Sequence, residues 1–284
     1  NKEFMLRYNS EPRTKGALVS WQVFNLAQAQ FNFQGLSQYF NNNSQVSFNF
    51  KRQSYLGAGY QQGYERIFEE EFGARRSPTQ VGAFAGEDAE RSTDRKVMYM
   101  FAGTTPSKKY SLYLESVYTL GAFDFDFGAG PRYPRVSPAA LLNPNAALDP
   151  GPGKEFYLIA GGSYQPTDAL RFSLDYTKNK LTRYDTGRVA FDDNIFTLRA
   201  THQFTRFTFA RARVDYDTLA SRIRAQFLLG WTPNPGMAFY VGYNDDLNRN
   251  GFSPFTGELE PGVRRNGRTF FIKMSYLIRK SFGG

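Results

Sequence analysis

The sequence predicts an all-β fold of up-and-down antiparallel strands. Three observations predict it: side chains alternate with a period of two, connections alternate between short and long, and charge avoids one of the two strand faces. No segment shows helical spacing.

From the N-terminus, Glu3–Tyr8 reads as a first strand. Val19, Trp21 and Val23 then alternate with Ser20 and Gln22, and Val46, Phe48 and Phe50 with Ser47, Asn49 and Lys51. Tyr110, Leu112 and Leu114 oppose Ser111, Tyr113 and Glu115, while Phe123, Phe125 and Phe127 oppose Asp124 and Asp126. Leu170, Phe172, Leu174 and Tyr176 oppose Arg171, Ser173, Asp175 and Thr177; Phe196, Leu198 and Ala200 oppose Ile195, Thr197, Arg199 and Thr201. Ala210, Ala212, Val214 and Tyr216 oppose Arg211, Arg213 and Asp215.

The clearest hairpin is FLLGWTPNPGMAFYVGYNDD (Phe227–Asp246), whose Asn-Pro-Gly cannot continue a ladder because proline lacks an N–H and glycine accepts unusual backbone angles. Backward from that turn, Trp231, Leu229, Phe227, Ala225 and Ile223 share one face, with Arg224 and Arg222 on the other. Forward, Met237, Phe239, Val241 and Tyr243 oppose Ala238, Tyr240, Gly242 and Asn244. The last strand, Thr269–Arg279, sets Phe270, Ile272, Met274, Tyr276 and Ile278 against Phe271, Lys273, Ser275 and Leu277.

Short connections fall at Thr104–Lys109, Gln165–Asp168, His202–Arg206 and Thr232–Gly236. Long ones fall at Ala74–Thr93, Gly128–Gly153 and Asp246–Arg268. Tight turns on one side and larger loops on the other are what an outer-membrane barrel shows, with the short side periplasmic and the long side extracellular. The segment Pro131–Gly153 is too rich in proline for a sheet centre. It reads as a solvated loop, or as one folded into the mouth or offered for docking.

Composition agrees. Of 284 residues 17% are aromatic, with 28 Phe and 18 Tyr, and there is no Cys. No apolar run reaches the ~18–20 residues of a membrane-spanning helix, which leaves a barrel open because its strands hide every second residue from lipid. The net charge of +9 comes from dispersed Lys and Arg, with no nucleic-acid-binding motif, so no nucleic-acid partner is expected.

An arginine on the lipid face near the midplane costs about 2–4 kcal/mol. Arg171, Arg199, Arg211, Arg213, Arg222, Arg224 and Lys273 all fall on the opposite parity, as that penalty requires. They are the candidate lumen-lining residues. Adjacent strands are expected to bring Arg211 and Arg213 near Arg222 and Arg224, either as a cationic wall favouring anions or as an internal salt-bridge network. Trp21, Tyr164, Tyr176, Tyr216, Trp231, Tyr243 and Tyr276 lie towards strand margins, where amphipathic rings sit at the headgroup level. Each ring singly is explained by hairpin packing; the set is not.

The sequence therefore predicts a transmembrane up-and-down antiparallel β-barrel of about 12–14 strands, with short periplasmic turns and long extracellular loops. One barrel domain spans residues 1–284 in the bacterial outer membrane, meeting lipid, lipopolysaccharide and other envelope proteins. Thirteen strands, with the last one descending to the periplasm, leave one strand before residue 1; without Glu3–Tyr8 the count is twelve. NKEFMLRYNS, with neither initiator Met nor signal segment, reads as a processed start or a fragment.

GWTPNPGMAFYVGYNDD and NGRTFFIKMSYLIR resemble the closing hairpin and last strand of bacterial outer-membrane proteins that carry an N-terminal domain similar to carbohydrate-binding family nine and a C-terminal barrel. The resemblance is sharpest over Phe227–Arg279. It implies a domain preceding this chain, and it carries no catalytic motif. Here the final strand is expected to run on into Lys280–Gly284, where the usual assembly signal of outer-membrane barrels stops on a terminal aromatic.

Chemistry is sparse. The one histidine, His202, is placed in a turn, and no Cys or His cluster suggests a zinc or haem site, so no cofactor and no metal is expected. The acidic stretches Gly86–Asp94 and Tyr243–Gly251 lack EF-hand spacing and read as solvated loops. The function expected is a passive channel leaning to anions, or the membrane anchor of a larger assembly. A barrel-embedded hydrolase using His202 and a soluble carbohydrate-binding β-sandwich are the rival readings.

Overall fold

The computed structural model describes residues 1–33, 35–234 and 236–277. The first strands are β1 (Lys2–Asn9), β2 (Leu18–Phe31), β3 (Ser37–Phe50), β4 (Ser54–Phe68), β5 (Glu90–Ser107) and β6 (Tyr110–Asp124). After them come β7 (Gly151–Thr167), β8 (Leu170–Arg183), β9 (Val189–Gln203) and β10 (Thr208–Asp217). The last are β11 (Arg222–Asn234), β12 (Met237–Phe252) and β13 (Leu259–Tyr276). All lie in a single sheet in chain order, each hydrogen-bonded to the next.

This is an up-and-down antiparallel fold. The β-sandwich reading fails here, because a sandwich stacks two sheets and the strands form one. Glu3–Tyr8 lies within β1 and pairs with β2 from Lys2 opposite Ala29 to Asn9 opposite Gln22.

From β4 to β8 the connections alternate as expected, while beyond β8 both sides are short. Two residues join β5 to β6, two join β7 to β8, and Phe204–Phe207 joins β9 to β10. The opposite ends carry the long segments 69–89 and 125–150. One expected long loop is short: β12 and β13 extend to leave only 253–258 between them. Asp245, Asp246 and the rest of Tyr243–Gly251 are strand residues, with bulges between Asp246 and Leu247 and between Arg249 and Gly251. Their charge hid them, since a ladder needs no apolar face where water wets both sides.

Three further expectations are corrected. The alternation Phe123–Phe127 does not continue as a strand: β6 stops at Asp124, and Asp126 has φ +63°. His202 lies in β9 opposite Ala210, with its ring edge-on to Phe204 at 4.5 Å, and the turn begins after it. A short helix, α1 (Pro138–Leu142), interrupts the proline-rich segment; Ser137 caps it by accepting from the Ala140 N–H at 3.1 Å, and Pro138 opens its first turn. Five residues are too few to show a helical period. Ile278, Arg279 and Lys280–Gly284 lie outside the described residues.

The chain packs as two compact units. One comprises Asn1–Pro106, Tyr113–Ala160 and Thr177–Asp193; the other comprises Ser107–Leu112, Gly161–Tyr176 and Asn194–Gly284. In the first, the buried core sits beneath the long segments. Ile67, Phe84 and Phe123 form one cluster, and Ala122, Val136, Leu181 and Ala190 form another. Segment 131–153 is thus a packed element and not a solvated loop. In the second unit large apolar side chains stay exposed on alternate positions, including Phe227 (49%), Leu229 (48%), Trp231 (47%) and Ile272 (69%). Patches of that kind mark a surface meeting something other than water.

Candidate functional site: a charged ladder across β8 to β13

The residues opposite that apolar face form the site. Register places Thr197, Asp215, Arg224 and Asp246 side by side on β9 to β12. The neighbouring rung holds Arg199, Arg213, Gln226 and Asn244, and the next holds Thr201, Arg211, Leu228 and Gly242. Arg213 therefore faces Gln226, Arg211 faces Leu228, and Arg224 stands between two carboxylates. The expected proximity of the two arginine pairs is modified: their side chains interleave with acids.

Arg199 and Arg213 are direct cross-strand partners, an arrangement that like charge disfavours. Each turns to a carboxylate. Arg199 pairs with Asp175 on β8, while Arg213 Nε lies 2.8 Å from Asp215, which also accepts from the Thr197 hydroxyl at 2.6 Å. Arg222 pairs with Asp246 at 3.1 Å. The Arg171 guanidinium donates to the Ser163 hydroxyl at 3.3 Å, and Arg211 lies over the Phe209 ring at 4.6 Å. Lys273 stands opposite Tyr240. Among the described residues no ion pair forms with Arg211, Arg224 or Lys273. Exposed ion pairs contribute only ~0–1 kcal/mol each, so attraction alone does not hold these charges on one face.

The aromatics predicted to sit at an interface occupy two kinds of position. Near strand ends that lead to short connections, Tyr164 stacks on Tyr110 at 5.1 Å, Trp231 on Phe239 at 5.5 Å, and Tyr276 closes β13. Trp21, near the start of β2, packs on Tyr8 at 5.3 Å. Tyr176 and Tyr216 flank Phe196 at 4.7 and 6.4 Å, with the Tyr176 hydroxyl donating to Asn194. Tyr176 and Tyr243 lie mid-strand rather than at the expected margins, and Tyr243 donates to Asp245 at 3.1 Å. On β11 the apolar side chains run from Ile223 to Trp231, which at ~3.4 Å per residue is about 27 Å of strand, comparable with the ~25 Å apolar band of outer-membrane barrels.

In the first unit, charge is buried under the long segments. Glu69 receives the Arg76 side chain and backbone N–H, and the Arg76 guanidinium beside it holds its carboxyl below the usual carboxylate range. Asp126 accepts from Arg135 at 2.6 Å, from the Ser137 hydroxyl at 2.8 Å and from the Asp149 N–H at 3.0 Å. Buried Arg183 reaches Asp124 at 3.0 Å and Asp185 at 2.7 Å. Gly121, inside β6, has φ +79°, a backbone angle that glycine accepts without strain. Sequence reasoning missed Glu69, Arg76, Arg135 and Arg183. Only Asp124 and Asp126 were singled out, as the polar residues opposite Phe123, Phe125 and Phe127.

No family model and no curated protein matches the chain. Among solved structures it is similar to the CymD monoaromatic hydrocarbon channel at 11% identity, covering 98% of this chain and 87% of that one with a TM-score of 0.31. It is similar to a Pseudomonas aeruginosa FadL homologue at 14% identity (96% and 77% covered, TM-score 0.29). It is also similar to OmpT, an outer membrane protein of Vibrio cholerae, at 11% identity (96% of each chain, TM-score 0.36). What defines the fold class is the sheet itself: among the described residues a meander of 13 strands in chain order, with, in the second unit, an exposed apolar face opposite a charged one.

Proposed function

We propose that the chain is a β-barrel of the bacterial outer membrane acting as a passive channel for small polar solutes, with a preference for anions. The observation that carries this reading is the uneven charge of one sheet face. Arg199, Arg213 and Arg222 have carboxylate partners, whereas among the described residues no ion pair forms with Arg211, Lys273 or Arg224, the last standing between the register positions of Asp215 and Asp246. In a water-filled pore, fixed positive charge raises anion occupancy and repels cations. Single-channel recording across a potassium chloride gradient tests it. A reversal potential on the chloride side supports the reading, and replacing Arg211, Arg224 and Lys273 by Gln moves it towards zero. Silence from correctly folded protein overturns it.

The second reading is a membrane anchor. It is favoured by segment 125–150, which packs against Leu181 and bonds Arg183, both of the same strand parity as Arg171 and Asp175. An element folded over that face obstructs passage. On either reading, the resemblance over Phe227–Arg279 adds an N-terminal carbohydrate-binding family-nine-like domain and envelope partners to the full protein. Sequencing the complete product tests that addition.

A further inference from the structure

The first unit carries a second surface of different chemistry. Along the β4–β5 pair, Tyr55 faces Gly103, Gly57 faces Phe101, and Gly59 faces Tyr99. Every rung holds one ring and one glycine. A methyl group added to any of these glycines would overlap the ring opposite, so the rings lie flat across the neighbouring backbone. Their centroids follow one another at 6.2 and 6.5 Å, and Tyr99 and Phe101 are within 15° of parallel.

Beside the rings runs a row of neutral polar groups. Register sets Asn49 against Tyr55, Ser47 against Gly57, Gln45 against Gly59 and Asn43 against Gln61. The Tyr99 hydroxyl crosses β4 to reach Asn43 at 2.8 Å, with Gln45 at 3.1 Å as a second acceptor. Along β4 and β5 the next charged pair is Arg95 with Glu65 at 3.0 Å, and across β2 the nearest charge on the Gln45 rung is Arg7, which lies over the Phe24 ring.

We propose that this strip is a binding track for a neutral, linear oligosaccharide. The apolar C–H face of a pyranose ring packs on a flat aromatic ring, and a carboxamide, both donor and acceptor, matches adjacent hydroxyls. A hydrocarbon leaves the amides without partners, and a charged chain finds no counter-charge here. The glycines leave room for rings to lie down, and a lying ring presents its whole face. This deepens the channel reading and rests on that reading for solute to reach the strip.

Two measurements on the full chain separate the proposals. Maltohexaose and cellohexaose are added to the protein in planar bilayers, with polyethylene glycol of equal size as control, and saturation-transfer NMR follows the same sugars on the detergent-solubilised protein. Reversible block and saturation transfer by either hexaose, both absent for the glycol, is the expected result. Phe101→Ala or Tyr99→Ala should weaken binding about tenfold. Should those variants not fold, the double variant Asn43→Ala/Gln45→Ala leaves rings and glycines in place and should weaken it as well. Conductance with neither block nor transfer overturns the track and spares the channel. Transfer without conductance overturns the channel and, with it, the track as a path for solute. Binding unchanged in folded variants shows that the rings only cover the glycines, and overturns the track.

Discussion

Glu69 shows how much a single side chain carries in this protein. It is buried beneath segment 69–89, and Arg76 bonds it while also donating to the carbonyls of Phe84, Gly86 and Asp88. Because the folded carboxyl titrates below its ordinary value of 4.5, its contribution is complete above that pH and is lost as pH falls through the depressed folded value. Limited proteolysis of the folded protein should therefore show segment 69–89 becoming susceptible as pH drops below about 4.5. Glu69→Gln should be susceptible at neutral pH, with a flatter acid profile. Gly151 is a second such position, since a methyl there overlaps the Arg183 guanidinium. Gly151→Ala should cost about 1–3 kcal/mol, read as a lower melting temperature in detergent.

At the scale of the strand, the two faces make opposite demands. Leu229 on β11 is exposed and flanked by Ala210 and Val241, whereas Gln226 of the same strand stands between Arg213 and Asn244. Leu229→Arg should destabilise the protein in a bilayer by about 2–4 kcal/mol, and Gln226→Arg should be nearly neutral. Urea titration of protein folded into lipid vesicles compares them; equal losses would mean that neither face meets hydrocarbon. The hairpin turns and the alternating faces were legible in the sequence because period-two patterning and Pro-Gly chemistry are local. The ends of β12 and β13 were not. Past the apolar face the pattern dissolves into Asn, Asp and Arg, and only backbone pairing shows that the strands continue.

For the molecule as a whole, the faces predict its behaviour outside a membrane. The chain should need detergent to remain monodisperse, and unheated protein should migrate faster on a denaturing gel than boiled protein. Solubility without detergent, or no shift on heating, would count against a membrane barrel. Charge selectivity belongs to this scale as well, since the Arg211, Arg224 and Lys273 variants act on a field summed over several strands.

By itself the sequence determined the all-β class and which residues share a face along its clearest strands, such as β10 and β11, because alternation acts over a few neighbouring residues. It did not reveal which arginine meets which carboxylate, that segment 125–150 is a packed element, or that rings and glycines share rungs on β4 and β5. Those facts depend on strand register and on contacts such as Arg183 with Asp124, made between groups 59 residues apart. Only the folded sheet fixes such distances.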